Sequence, residues 1–131
     1  MQLSKNFSLD ELCVTNSGLA NRPNQEQINA LTDLCIHVLQ PLRDLYGKHI
    51  TVNSGFRSAK VNQEANKGKI KPSQHMKGQA ADLDNGRSEN IILYNLILKH
   101  FEFDQLINES DFAWIHVSYK KTGNRKMLLK L

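Results

Sequence analysis

Two histidines and an aspartate give this sequence its clearest chemical signal. His75 lies seven residues before Asp82, with a glycine and two alanines between them, and His116 follows in a later apolar segment. Two imidazoles and a carboxylate suit Zn²⁺, and a structural zinc site usually closes with four protein ligands. Three ligands leave one position open for water, as a hydrolytic metal site requires. The sequence therefore predicts an open zinc site formed by these three side chains.

The segment between the first two candidate ligands supports this interpretation. Gly78 permits a sharp turn, so that His75 and Asp82 can reach the same ion. Asp82 stands in a short apolar strand after two alanines, where a carboxylate is costly unless it is paired or bound to a metal.

A second predicted strand places the third ligand. Side chains alternate across a strand, so Ile115, Val117 and Tyr119 share one face, while Trp114, His116 and Ser118 share the other. The first set is apolar and is predicted to face the core. The second set is predicted to form the wall of a cleft, with the histidine at its centre.

The elements that must position these side chains are helices in the first half and short strands later. Apolar residues recur at helical spacing from Ile28 to Leu45, with Pro41 expected to kink or restart that helix. Strands are predicted at 50–53, 80–84, 103–107, 114–119 and 126–131, and a hairpin turn at 122–124 is predicted to join the last two. This pattern predicts one α+β domain over residues 1–131, with a small antiparallel sheet and helices packed on one side.

Composition and charge limit the function classes. The chain has 131 residues, 40% of them hydrophobic and 23% charged, as expected of a globular domain. Its net charge of +4 favours anionic partners. Nucleic acid is not among the expected partners, because no aromatic residues interleave with the basic ones and no recognition motif is present. We expect a monomer. Membrane insertion is not expected, since no apolar run is long enough to span a bilayer.

Two further observations concern compartment. The N-terminal residues lack the apolar region of a signal peptide, which predicts a cytoplasmic protein as synthesised. Cys13 and Cys35 have no CxxC neighbour and lie among apolar residues, so buried thiols are expected, with a disulfide between them left open.

Taken together, the motifs are similar to those of the zinc D-alanyl-D-alanine peptidases, whose fold is shared by the Hedgehog signalling domain. The family pattern of Ser-x-His, six residues, Asp and a later Trp/His-x-His matches residues 73–75, 82 and 114–116. The upstream Ser-Gly-Tyr/Phe-Arg-Ser matches residues 54–58, and the Asp-Gln-Leu-Ile of small phage-type members matches residues 104–107. The resemblance covers the chain from about Phe7 to Tyr119.

The resemblance implies roles for individual residues. His75, Asp82 and His116 would bind zinc, and Arg57 would act in catalysis by meeting a substrate carboxylate or a polarised carbonyl. The substrate site would also include Ser73, which would orient a ligand or the substrate, and Trp114, which would line the cleft wall.

The general base departs from the commoner family spacing. Many members place an acid three residues before the last histidine, where this chain has Ala113. Hedgehog-type and small phage-type members place a glutamate just beyond the Asp-Gln-Leu-Ile strand, and Glu109 fits that placement. Glu109 is therefore the expected base, with Asp111 as the second candidate.

The implied function is zinc-dependent hydrolysis of amide bonds in peptidoglycan stem peptides or cross-links, by a D,D-carboxypeptidase or an endopeptidase. A phage or prophage lysis enzyme, or a cell-wall remodelling enzyme, would act at the wall after release from the cytoplasm. The alternative is a non-catalytic, zinc-bearing module that binds cell-wall peptide or a protein partner, and Ala113 motivates it.

Overall fold

The structure is a computed structural model that describes residues 1–131. Its helices are α1 (Leu9–Leu12), α2 (Gln25–Leu34), α3 (Gln40–Tyr46), α4 (Ala59–Ala65) and α5 (Arg87–His100), with a π-helical turn at Cys35–Leu39 and a 3₁₀ turn at Gln74–Lys77. Its strands are β1 (Val52–Ser54), β2 (Ala80–Leu83), β3 (Gln105–Glu109), β4 (Trp114–Ser118) and β5 (Met127–Lys130). The α+β prediction is confirmed.

The five strands form one sheet in the order β1-β2-β4-β3-β5. Every neighbouring pair is antiparallel except β3 and β5, which run parallel with Gln105 opposite Met127. The sheet is therefore mixed but largely antiparallel, as predicted, whereas the predicted hairpin into the last strand is wrong. β4 already has β2 on one edge and β3 on the other, so a returning strand has no free edge there. The chain crosses instead to the outer edge of β3.

One face of the sheet packs against the helices. Ala81, Leu83, Ile115 and Val117 point into the core and are fully buried. The alternating side chains of the same strands point away from the helices, and they include Asp82 and His116. The predicted division of the 114–119 strand into two faces is confirmed for Trp114 and His116, but Ser118 is fully buried and its hydroxyl accepts from the backbone N–H of Gln105 at 2.9 Å.

The long amphipathic helix continues past its proline. The π-helical turn Cys35–Leu39 lies immediately before α3, and Pro41 sits in the first turn of α3. Pro41 lacks an N–H group and cannot continue the π-helical hydrogen bonding, whose last bond runs from the N–H of Gln40 to the carbonyl of Cys35. The predicted restart at Pro41 thus takes the form of a change of helix type.

Both cysteines are free thiols. Burial raises the pKa of Cys13 to about 11 and that of Cys35 to about 12, with further contributions from nearby acidic side chains. Cys35 lies in the core, and Cys13 packs against it. None of the helices combines the length and apolar character needed to cross a membrane.

Candidate metal centre

The three predicted metal ligands meet on the cleft face of the sheet. His75, Asp82 and His116 each offer one donor atom, and these atoms lie within 4.8 Å of one another. Oδ1 of Asp82 is 3.4 Å from Nε2 of His75 and 3.1 Å from Nδ1 of His116. All three residues are buried. Strands β2 and β4 supply two of the ligands. Asp82 and His116 are directly opposite each other in the β2–β4 register, which brings their side chains together.

The 3₁₀ turn supplies the third ligand. The hydroxyl of Ser73 accepts a hydrogen bond from the backbone N–H of His75 at 3.2 Å and caps the turn. Gly78 ends the turn with a φ of +73°, and a Cβ atom there would lie 2.4 Å from the main-chain oxygen of Gln27. Only glycine satisfies both conditions, so the turn predicted between His75 and Asp82 depends on Gly78.

Hydrogen bonding fixes the orientation of the first histidine. Nδ1 of His75 lies 2.7 Å from the main-chain oxygen of Gly55. A carbonyl only accepts, so Nδ1 carries a proton and Nε2 is the nitrogen that faces Asp82. Backbone carbonyls orient metal-binding histidines in this way in many proteins. The donor set and its orientation therefore fit a divalent cation, and Zn²⁺ in particular.

Arg57 contacts the ligand aspartate. Its Nη2 donates to Oδ2 of Asp82 at 3.1 Å, and its Nε donates to the hydroxyl of Ser54 at 2.8 Å. Burial raises the pKa of Asp82, but hydrogen bonds from His116 and His75 and their charges outweigh it and hold that pKa below its usual range. Asp82 is therefore ionised, with one oxygen facing the histidines and the other held by Arg57.

A cleft of about 720 Å³ opens over the three ligands. Arg57, Ser73, Glu109 and Trp114 all line it, so the structure brings together every predicted site residue except the second candidate base. Glu109 is the last residue of β3 and lies opposite Trp114 on β4. Burial raises the pKa of Glu109, and the charge of Asp82 adds to this, against opposing contributions from His116, His75 and Arg57.

Asp111 lies outside the cleft. Its side chain is exposed, and its carbonyl oxygen accepts a hydrogen bond from Nε of Arg87 at 2.6 Å. The backbone separates the two candidate bases: Ser110, Asp111 and Phe112 have φ values of +48°, +54° and +61°, which is a single left-handed turn. This left-handed turn (110–112) directs Asp111 toward solvent.

Two buried asparagines hold the left-handed turn, and sequence reasoning missed both. Oδ1 of Asn108 accepts from the backbone N–H of Phe112 at 2.6 Å, and Nδ2 of Asn90 donates to the carbonyl of Phe112 at 3.0 Å. Asn108 is a polar residue that follows the apolar pair Leu106-Ile107, whereas Asn90 follows the polar Ser88-Glu89 and gives no comparable signal.

The comparisons with known proteins agree with this geometry. The family described as Peptidase M15 matches residues 5–118, a stretch that contains the three ligands, Arg57 and Glu109. No curated protein gives a significant match. Because the family match covers most of the sequence and the structure places a buried His-Asp-His group in its cleft, the chain belongs to the Peptidase M15 family of metallopeptidases.

Proposed function

We propose that this protein is a zinc-dependent peptidase that hydrolyses amide bonds in peptidoglycan stem peptides or cross-links. The observation that carries the proposal is the cleft itself, in which His75, Asp82 and His116 converge and Glu109 lines the same space. Membership of the Peptidase M15 family supports the reaction class.

His75, Asp82 and His116 would hold the zinc ion. When bound, zinc supplies a Lewis acid and lowers the pKa of a bound water to about 7. The remaining features belong to the protein: burial of the three ligands limits their exposure to solvent, and the Gly55 carbonyl holds the first histidine in one orientation.

Glu109 serves as the general base in this proposal. It accepts a proton from the attacking water and returns it to the nitrogen of the leaving amine. Its pKa is raised mainly by burial, which brings its basicity closer to that required near neutral pH. Asp111 has no comparable access to the cleft.

Arg57, Ser73 and Trp114 complete the site. Arg57 uses Nε and Nη2 for Ser54 and Asp82, so its remaining Nη1 group is available to a substrate carbonyl or to the oxyanion that forms from it. Ser73 orients His75 through the backbone and lines the cleft near the substrate. Trp114 supplies an apolar wall beside Glu109.

The biological setting follows from the same proposal. We expect a monomer that acts on the cell wall, in phage or prophage lysis or in wall remodelling. The alternative is a non-catalytic module that holds cell-wall peptide, and Ala113 favours it because many relatives place an acid at that position.

Mass spectrometry of purified peptidoglycan incubated with zinc-loaded protein, with and without a chelator, tests the proposal. New amino termini identify an endopeptidase, and loss of terminal D-alanine alone identifies a carboxypeptidase. His116→Ala is the matched inactive control. Hydrolysis that survives both the chelator and this substitution would contradict the zinc mechanism, and peptide binding without any hydrolysis would favour the module.

A further inference from the structure

The cleft continues well beyond the three metal ligands. Glu109 and Trp114 form a register pair at one end of β3 and β4. At the opposite end, Lys120 follows β4 and Arg125 precedes β5, and both line the same cleft. His116 lies between these two ends, so the cleft has a catalytic end and a second end that the proposed chemistry does not use.

The second end is basic. Two cationic side chains line it, Lys120 and Arg125, which we call the basic end. Asp104 is the acid that lines the cleft beside them, and its side chain is fully buried. The two cations together exceed its single negative charge, so the cleft lining at this end has a net positive charge.

Hydrogen bonds and an ion pair hold the basic end in place. Asp104 accepts hydrogen bonds from Nε and Nη2 of Arg125 at 2.9 and 2.8 Å, and Nζ of Lys120 lies 3.6 Å from it. The side chain of Asn124 bonds both the N–H and the carbonyl of Lys120 at 2.8 Å. These contacts distinguish the pair from freely solvated surface cations.

A buried acceptor accompanies these cations. Nε2 of Gln74 donates to Oδ2 of Asp104 at 3.0 Å, which fixes the amide orientation because a carboxylate only accepts. Oε1 of Gln74 is buried and has no partner, and the residue lines the cleft. An amide N–H of a bound peptide is the kind of group that would satisfy it.

We propose that the basic end is a subsite for a carboxylate of the peptide substrate, two to four residues from the bond that is cut. The spacing rests on the rise of extended chain: Lys120 is four residues beyond His116, or about 14 Å at about 3.4 Å per residue. An extended peptide has a similar length per residue, and a lysine side chain reaches back over part of that distance. The inference rests on the proposed peptidase function.

Paired synthetic peptides test the subsite with the zinc-loaded wild-type protein. The two peptides are identical except at one position, two to four residues from the bond that is cut, where one has a carboxylate and the other a carboxamide. The carboxylate peptide is expected to have a KM about fivefold lower at low salt, the range of a partly exposed ion pair, and an unchanged kcat. The preference should shrink as ionic strength rises.

Lys120→Gln is expected to remove that difference in KM without changing kcat. Lys121→Gln is the matched control, because Lys121 is the exposed neighbour and does not line the cleft. Thermal melting of both variants checks that they remain folded. Equal KM values for the two peptides in the wild-type protein would overturn the proposal, whatever the variants do.

Failure of the peptidase function itself would give a different result, namely no hydrolysis of either peptide. Fluorescence anisotropy with labelled forms of the same two peptides then measures binding directly on the zinc-loaded protein. Tighter binding of the carboxylate peptide that Lys120→Gln removes would support the subsite. Equal binding of the two peptides would overturn it.

Discussion

The main-chain oxygen of Gly55 accepts a hydrogen bond from Nδ1 of His75 at 2.7 Å, and this contact decides which nitrogen of the histidine faces Asp82. Gly55 is itself pressed against another segment, since a Cβ atom there would lie 2.3 Å from the main-chain oxygen of Leu12. The orientation of a metal ligand therefore depends on a close backbone approach far from it in sequence.

Gly55→Ala is expected to weaken zinc binding. The added methyl group cannot fit without moving the backbone, which should destabilise the fold by about 1–3 kcal/mol. Displacement of the carbonyl should lower zinc affinity about 10–100-fold, the usual effect of losing a partner of a metal-bound histidine. Competition with a chromophoric chelator measures the affinity. Gly47→Ala is the control, because its φ of +78° makes it destabilising while the space around it is open; an equal loss of affinity there would contradict the argument.

Glu109→Gln is expected to lower kcat about 10²–10⁴-fold, the contribution typical of a positioned general base. The substitution keeps the size of the side chain and removes only its ability to accept the proton. Zinc content, measured by elemental analysis, should stay the same as in the wild type. Near wild-type turnover in this variant would show that another group accepts the proton.

Substitutions at Asp111 should separate stability from activity. Its φ of +54° is left-handed, where glycine is comfortable and a β-branched residue is not. Asp111→Gly is expected to keep full activity and to gain up to about 1 kcal/mol in the free energy of unfolding, whereas Asp111→Val should lose about 2 kcal/mol. Chemical denaturation and peptide hydrolysis are the two measurements. Loss of activity in a folded Asp111→Gly protein would point to Asp111 as the base.

Asp104→Asn should change how stability depends on pH. Hydrogen bonds from Arg125 hold the pKa of Asp104 below its usual range, against the opposing effect of burial and with help from Gln74. A lowered pKa in the folded state contributes stability above the unfolded pKa of about 3.9, and this is lost as the pH falls toward the folded pKa. The variant should be less stable by about 2–3 kcal/mol at pH 7, with the difference shrinking below about pH 4.

Urea denaturation across that pH range measures the effect. Glu102→Gln, at an exposed neighbouring acid, should follow the wild-type curve. If the gap between Asp104→Asn and the wild type stayed constant from pH 7 to pH 3, Asp104 would not be the titrating group.

The metal ligands could be predicted because their signals are local in the sequence and because a carboxylate in an apolar strand is energetically unfavourable without a partner. An aspartate after two alanines in a buried strand needs a partner, and strand alternation places His116 on the face away from the core. The same reasoning failed for β5. A Thr-Gly-Asn turn signals a hairpin locally, but whether β4 has a free edge depends on the pairing of β2, which no local pattern contains.

The left-handed turn at 110–112 could not be predicted from the sequence either. Its residues include no glycine, and its stability depends on Asn90 from α5 and Asn108 from β3. The sequence therefore names Glu109 and Asp111 as neighbours, whereas tertiary hydrogen bonds decide which of them faces the cleft. The role of Asp104 also depends on tertiary hydrogen bonds, since its partners Gln74 and Arg125 come from two separate segments.

Asp82 and His116 sit opposite each other on β2 and β4, and each of these strands is paired along both edges. Amide hydrogens in such interior strands exchange with solvent only through the largest openings of a fold, whereas edge strands and short turns open locally. We therefore expect two of the ligands to lie in the slowest-exchanging part of the protein, whereas His75 lies in a 3₁₀ turn. Metal exchange should then follow the opening of that turn, so the ion can leave and return while the sheet that defines its site stays folded.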